Sequence, residues 1–236
     1  MKYTYNFDKY SCLYHKVCSL FDTEECNDAC IRYMEFDYLL KTSNLPLKLQ
    51  KPVKLYPENC DLKSFNFLND LKADILDCVE EGIQLYIYSS TCGNGKTSWA
   101  VKLLLKYFDE VWNGNGFVTR GIFIHVPTFL NESKNFQNNA NFLELKSLCE
   151  KVDLVVWDDI AANKLSSYEQ NLLISLIDLR QNNQLANIFT SNITLDNLDN
   201  NVGQRLASRL VSGYKVVLRG HDMRRSEFNG NSTDFE

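Results

Sequence analysis

The stretch from Leu85 to Phe108, LYIYSSTCGNGKTSWAVKLLLKYF, constrains the fold more than any other part of the chain. An apolar run passes through a loop of small residues into a helix whose Trp99, Leu103, Tyr107 and Val111 repeat every four positions. Strand, glycine-bearing turn and helix in that order call for a layered α/β structure with the turn opening at a sheet edge. Apolar runs predict five strands, over Leu85–Tyr88, Gly121–Val126, Asp153–Trp157, Ala186–Phe189 and Tyr214–Leu218. They do not alternate in polarity, as expected of strands covered on both faces. Leu172, Leu173, Leu176, Ile177 and Arg180 supply a helical face between the third and fourth. The expected fold is three-layered α/β, with a five-stranded parallel sheet wrapped by helices.

With 236 residues and 44% hydrophobic content, the chain can bury one full core and a small appendage. LPLKLQKPVKLYPE, from Leu45 to Glu58, holds three of the four prolines and no sustained period, so it reads as a linker. The predicted organisation is a cysteine-rich head over 1–44, a linker over 45–61 and a body over 62–236. No run approaches the roughly 18 apolar residues of a membrane span, and MKYTYNFDKY lacks a secretory apolar segment. No membrane association is expected, and the location is read as cytoplasmic. A net charge of −5 argues against coating nucleic acid by bulk attraction. Arg205, Arg209, Lys215, Arg219, Arg224 and Arg225 nonetheless stand against the single acid Asp222 between Gln204 and Arg225, so a local basic strip or a solvated face is expected there.

In SSTCGNGKT each residue type has work to do. Gly93 and Gly95 let successive backbone N–H groups approach phosphate oxygens. Lys96 suits the β- and γ-phosphates, Thr97 offers a hydroxyl to Mg²⁺, and the helix that follows points its positive end at the same anion. The binding stretch is Ser90, Thr91, Cys92, Gly93, Asn94, Gly95, Lys96, Thr97 and Ser98. Ser90 stands where the phosphate-loop pattern has its first Gly, which costs something only if that position needs a positive φ.

About sixty residues on, DLVVWDDI is an apolar strand ending in two carboxylates. Asp158 is the candidate Mg²⁺ holder, and Asp159 the candidate to polarise an attacking water. No guanine-reading Asn-Lys-x-Asp is present, because Ser166 stands where the Asp should follow Asn163 and Lys164. Gly121–Val126 intervenes in sequence between the loop strand and the acidic strand, and a second acid follows the first, which points to an ATPase of the additional-strand type. NIFTSN ends the fourth strand in Thr190, Ser191 and Asn192, with Asn192 placed to orient water. GQRLASRL sets Arg205 and Arg209 four apart on one helical face, where an arginine can reach a neighbouring subunit's nucleotide. LRGHDMRR places Arg224 after the last strand.

Cys12, Cys18, Cys26 and Cys30 crowd the head. Cys26 and Cys30 are spaced to share a helical face, and the four thiolates suit a tetrahedral Zn²⁺ site with His15 as an alternative ligand; four reduced, partly buried thiols are the other reading. Cys60, Cys78, Cys92 and Cys149 read as packing residues, with Cys92 open to modification if the loop is empty.

These motifs resemble the AAA+ ATPases of the replicative helicase-loader family, similar to bacterial DnaC and DnaI and to loaders carried by phages. The resemblance covers most of the chain and rests on CGNGKTSWA (Walker A), LVVWDDI (Walker B), FTSN (sensor 1), RLASRL (arginine-finger box) and GHDMRR (a sensor 2-like end). It implies a P-loop NTPase core and a small N-terminal zinc-binding-like domain; the roughly 27 residues after Arg209, several of them in a strand, leave no room for the full helical lid of many AAA+ proteins. By resemblance, Lys96, Asp158, Asp159, Asn192, Arg209 and Arg224 are the catalytic set, with Arg209 the trans-acting finger, Arg205 a second possibility for it, and Arg224 sensor 2. The implied activity is slow ATP hydrolysis with Mg²⁺, in a protein that loads a DnaB-type hexameric helicase onto single-stranded DNA and self-associates through AAA+ interfaces. The implied setting is the bacterial cytoplasm, or the host cytoplasm if the chain is phage-encoded. An ATPase helper of a transposase shares nearly the same body, and a nucleotide-binding scaffold without turnover is the third reading.

Overall fold

The computed structural model describes residues 5–51, 54–111, 117–134 and 139–223. The elements run α1 (Ile31–Thr42), α2 (Leu62–Ala73), α3 (Ile75–Glu80), β1 (Gln84–Tyr88), α4 (Lys96–Glu110), β2 (Gly121–His125), α5 (Val126–Ser133) and α6 (Ala140–Cys149). They continue with β3 (Leu154–Asp158), α7 (Ser167–Asn182), β4 (Ala186–Ser191), α8 (Leu195–Val202), α9 (Gln204–Leu210) and β5 (Tyr214–Val217). All five expected strands form, each within a residue or two of its expected ends.

The sheet order is β2-β3-β4-β1-β5, with every pair parallel. β4 lies between the loop strand β1 and the acidic strand β3, so the sheet is of the additional-strand type, although Gly121–Val126, the strand that intervenes in sequence, becomes the border strand β2. Alternate strand residues face opposite layers. Leu85, Ile87, Phe123, Val156 and Ile188 pack with α1–α4, whereas Tyr86, Ile122, Val155, Trp157 and Phe189 pack with α5–α9. The continuous apolar strands follow from that double coverage.

Arg180 closes the sheet's N-terminal end. It sits on the apolar face of α7, wholly buried, and its guanidinium donates to the carbonyls of Cys149, Val152, Asp153 and Ala186 and to Asn187 Oδ1, at 2.6–3.2 Å. Burial lowers its pKa to about 10, and the ring of oxygens compensates the buried charge. α7 itself begins in a capping box, in which Ser166 and Glu169 satisfy each other's backbone N–H groups.

The N-terminal residues pack on the sheet layer through α1. Phe36 and Leu39 join the core beside α4, and Tyr14 meets Phe36 edge-to-face. The chain then runs along β2, where the Phe123 N–H donates to Ser43 O at 2.7 Å and Asn44 Nδ2 donates to Phe123 O at 2.9 Å.

The structure gives the zinc expectation no support. Among the described residues no three Cys, His, Asp or Glu side chains gather into a metal-holding group, although Cys12, Cys18, Cys26, Cys30 and His15 are all described. Residues 8–29 form successive tight turns closed by i to i+3 bonds and one i to i+4 bond, from the Cys18 N–H to Tyr14 O, and Cys30 precedes the first turn of α1, so no helix presents Cys26 and Cys30 together. Burial raises the Cys12 thiol, with smaller contributions from Cys30, Cys18 and Cys26. The four share a neighbourhood without closing a coordination sphere. His15 Nδ1 is bonded to Cys12 O at 2.7 Å, and its ring packs on Phe21. Of the other cysteines, Cys149 is buried, its thiol pushed up to about 12 by desolvation, while Cys60 and Cys92 are exposed. Cys60 is therefore not the packing residue it was expected to be. No described helix is long and apolar enough to cross a membrane.

Candidate nucleotide site

The loop between β1 and α4 is held by its own small side chains. Ser89 Oγ accepts the Thr91 N–H at 2.9 Å and Asn94 Nδ2 at 2.7 Å, and Asn94 Nδ2 also donates to Leu218 O at 3.0 Å. Lys96, mostly buried, donates from Nζ to Thr91 O at 2.8 Å and to Asn94 Oδ1 at 3.1 Å, which curls the loop around its ammonium. Gly93 and Gly95 take φ of +73° and +97°, the left-handed region that a side chain disfavours. Ser90 is exposed and is not among the residues with positive φ, so replacing the expected glycine costs no backbone strain there.

α4 begins at Lys96 and directs its N-terminal N–H groups toward the loop. Thr97 Oγ1 donates to Asp158 Oδ1 at 2.7 Å, joining loop to acidic strand. Thr190, at the end of β4, donates to the same Asp158 oxygen at 2.7 Å and accepts the Asp159 N–H at 3.0 Å. Burial pushes the Asp158 carboxyl above its ordinary value; the hydroxyls of Thr190 and Thr97 pull it back, and neighbouring Asp159 adds to the rise. Asp159 is held at φ +59°, and its Oδ1 accepts Asn192 Nδ2 at 2.9 Å. Two acids adjacent in sequence thus take separate environments, one buried under hydroxyls and one turned toward solvent by a left-handed backbone.

A cavity of about 370 Å³ opens over the loop between Lys96, Thr97, Asp159 and Asn192, a size suited to a small-molecule ligand. Cys92, Gly93, Gly95 and Ser98 line it too. Three further lining residues, Lys54, Leu55 and Met223, were not legible as site residues. Lys54 and Leu55 belong to the linker, and nothing in their local sequence marks them. Thr190 was recognisable only as part of a polar strand tip.

Arg209 is not brought to this cavity. Its Nε and one terminal nitrogen grip both oxygens of Asp178 on α7, the second contact at 3.0 Å, and the other terminal nitrogen donates to Arg205 O at 2.7 Å. Arg205 is exposed on the same helix. Arg224 lies outside the described residues.

The fold recurs in known proteins. The chain is 23% identical over 173 residues to the replicative helicase loader DnaC of Buchnera aphidicola subsp. Schizaphis graminum, a match spanning 68% of this chain and 66% of that protein, a little under two thirds of its length. A crystal structure of the DnaC helicase loader superposes with a TM-score of 0.58 at 19% identity, over 69% of this chain and 93% of the other. The fold is that of the DnaC helicase-loader structure. AMPPCP-bound DnaA from Aquifex aeolicus matches with a TM-score of 0.57 at 15% identity, over 77% of this chain and 55% of that one. No protein-family profile matches the sequence. Within this DnaC-like frame the Walker-type loop, the acidic strand end and the polar tip of β4 fall at one edge of the sheet, as the sequence motifs require.

Proposed function

We propose that the chain is an ATP-dependent loader of a hexameric replicative helicase, placing it on single-stranded DNA during DNA replication. The observation that carries the nucleotide reading is the join of Thr97 to Asp158 beside a loop with two left-handed glycines, with Asn192 holding Asp159 next to it. The donor set fits ATP and Mg²⁺. Lys96 and the loop N–H groups suit phosphate oxygens, and Thr97 and Asp158 are the hard oxygen ligands that Mg²⁺ takes. Bound Mg²⁺ would neutralise charge on the phosphates. Asp159, turned out and oriented by Asn192, is the proposed acceptor that orients the attacking water. Its short side chain favours slow turnover. Arg209 is the proposed trans-acting residue, which requires it to exchange Asp178 for a neighbour's nucleotide, and Arg224 is proposed as sensor 2.

The helicase partner is supported by similarity to DnaC. In this reading the head grips the helicase, while the body self-associates and holds DNA through salt-sensitive phosphate contacts. Co-purification with the replicative helicase, with and without ATP, tests the proposal. A nucleotide-sensitive complex is expected; no complex in either condition refutes it.

A further inference from the structure

Two carboxylates with no part in the proposed chemistry join distant parts of the chain beside the phosphate loop. Asp61, buried at 3% exposure, accepts the backbone N–H of Arg219 at 2.7 Å and of Gly220 at 2.8 Å. Glu58, three residues earlier, accepts the His221 N–H at 2.8 Å through the same oxygen that meets His221 Nδ1 at 2.8 Å. Three consecutive backbone donors are thus pinned by two acids at the end of the linker. A carboxylate that takes backbone N–H groups fixes chain position as well as satisfying donors. Gly220 permits the approach, because a Cβ there would stand 2.5 Å from Glu58 Oε1 and 3.0 Å from Asp61 Oδ2.

The strap so pinned sits on the phosphate loop. Leu218 O accepts Asn94 Nδ2, and the Met223 N–H donates to Gly93 O at 3.2 Å. Asp222 Oδ1 fills the space beside Gly93 so closely that a Cβ there would lie 1.8 Å away. From the linker side, Leu55 approaches the Cβ position of Gly95 to 3.4 Å, and Lys54 and Leu55 line the cavity with Met223. Linker, strap and loop therefore form one closed circuit of contacts.

We infer that Glu58 and Asp61 are positioning residues that couple the linker to the phosphate loop, so that nucleotide binding and the ordering of residues 54–61 favour each other. The inference rests on the nucleotide reading above, and coupling of this kind is reciprocal: whatever orders the linker tightens nucleotide, and nucleotide orders the linker. It supplies a route by which a partner held at the head would sense the nucleotide.

The test pairs titration of a fluorescent ATP analogue with hydrogen exchange of the full chain. In the parent protein the analogue is expected to protect peptides covering 54–61, 218–223 and the loop. In Asp61→Ala, affinity should fall about tenfold, within the usual range of such couplings. The analogue should then protect the loop but no longer 54–61. Glu58→Ala, at a more exposed position, should show the same pattern more weakly and serves if Asp61→Ala does not fold; Glu58→Gln, which keeps an acceptor for the His221 N–H, should restore much of the effect. Variants that bind as the parent does, with 54–61 still protected, overturn the coupling and leave the nucleotide site standing. A parent protein that binds no nucleotide overturns both.

Discussion

Replacing Thr190 by valine removes one hydroxyl from a buried position while keeping the side chain's shape, and it strikes both acids of the site at once. Thr190 is 1% exposed, donates to Asp158 Oδ1 and accepts the Asp159 N–H. A hydrogen bond to a charged partner contributes about 1.5–3 kcal/mol and a neutral one about 1 kcal/mol, so the substitution should cost about 3 kcal/mol at neutral pH. In an Asp158→Asn background the charged contribution disappears, and the cost should fall to about 1–1.5 kcal/mol, a coupling of about 1.5 kcal/mol between the positions. The pH dependence has a defined sign. Burial holds the folded Asp158 pKa above its unfolded value, so ionised Asp158 lowers stability at neutral pH, and that cost is relieved as pH falls through the raised pKa. Removing a hydroxyl that stabilises the ionised form raises the pKa further, so the valine variant should lose most at neutral pH and progressively less below it. Urea denaturation of the four proteins of the cycle at two pH values measures this. A loss under about 0.5 kcal/mol, or an equal loss in both backgrounds, would refute the assignment of Thr190 as the hydroxyl that holds Asp158.

Arg180→Met should destabilise the fold by about 3–5 kcal/mol in the same assay, because four carbonyls and Asn187 lose their shared donor in a buried site. Ser90→Gly should leave nucleotide affinity within about twofold and lower stability by roughly 0.5–1 kcal/mol through the unfolded chain; a large gain in affinity would mean that Ser90 strains the loop. Arg209→Ala should leave nucleotide binding by the isolated subunit intact while cutting turnover of the assembled protein by about a hundredfold or more, read by phosphate release across a concentration series.

The five strands were legible because helices cover both sheet faces, leaving apolar runs with no alternation to confuse with a half-exposed strand. The loop, the acids and Asn192 were legible because each sits at a strand end, where a polar residue interrupts such a run. Arg180 was visible only as a position on a helical face; its polarity gives no hint that five oxygens converge on it. Glu58 and Asp61 were hidden for another reason. Their partners lie more than 150 residues away and, the His221 imidazole apart, are backbone N–H groups, which leave no complementary side chain to find. The helical spacing of Cys26 and Cys30 did not become a shared helical face, because the chain there is a run of turns and α1 starts only after Cys30.

The contact that Ser43 and Asn44 make with Phe123 has a consequence for how copies of the chain meet. An outer strand with free N–H and C=O groups is a template for another chain's strand, and such pairing is hard to reverse. Here the centre of β2 already spends its outward groups on the residues just after α1, and the opposite border, β5, runs only from Tyr214 to Val217. Growth of a continuous sheet from subunit to subunit is therefore blocked on one side and short on the other. Any association between copies is left to helical and loop surfaces, whose side-chain contacts form and part more readily than a shared sheet.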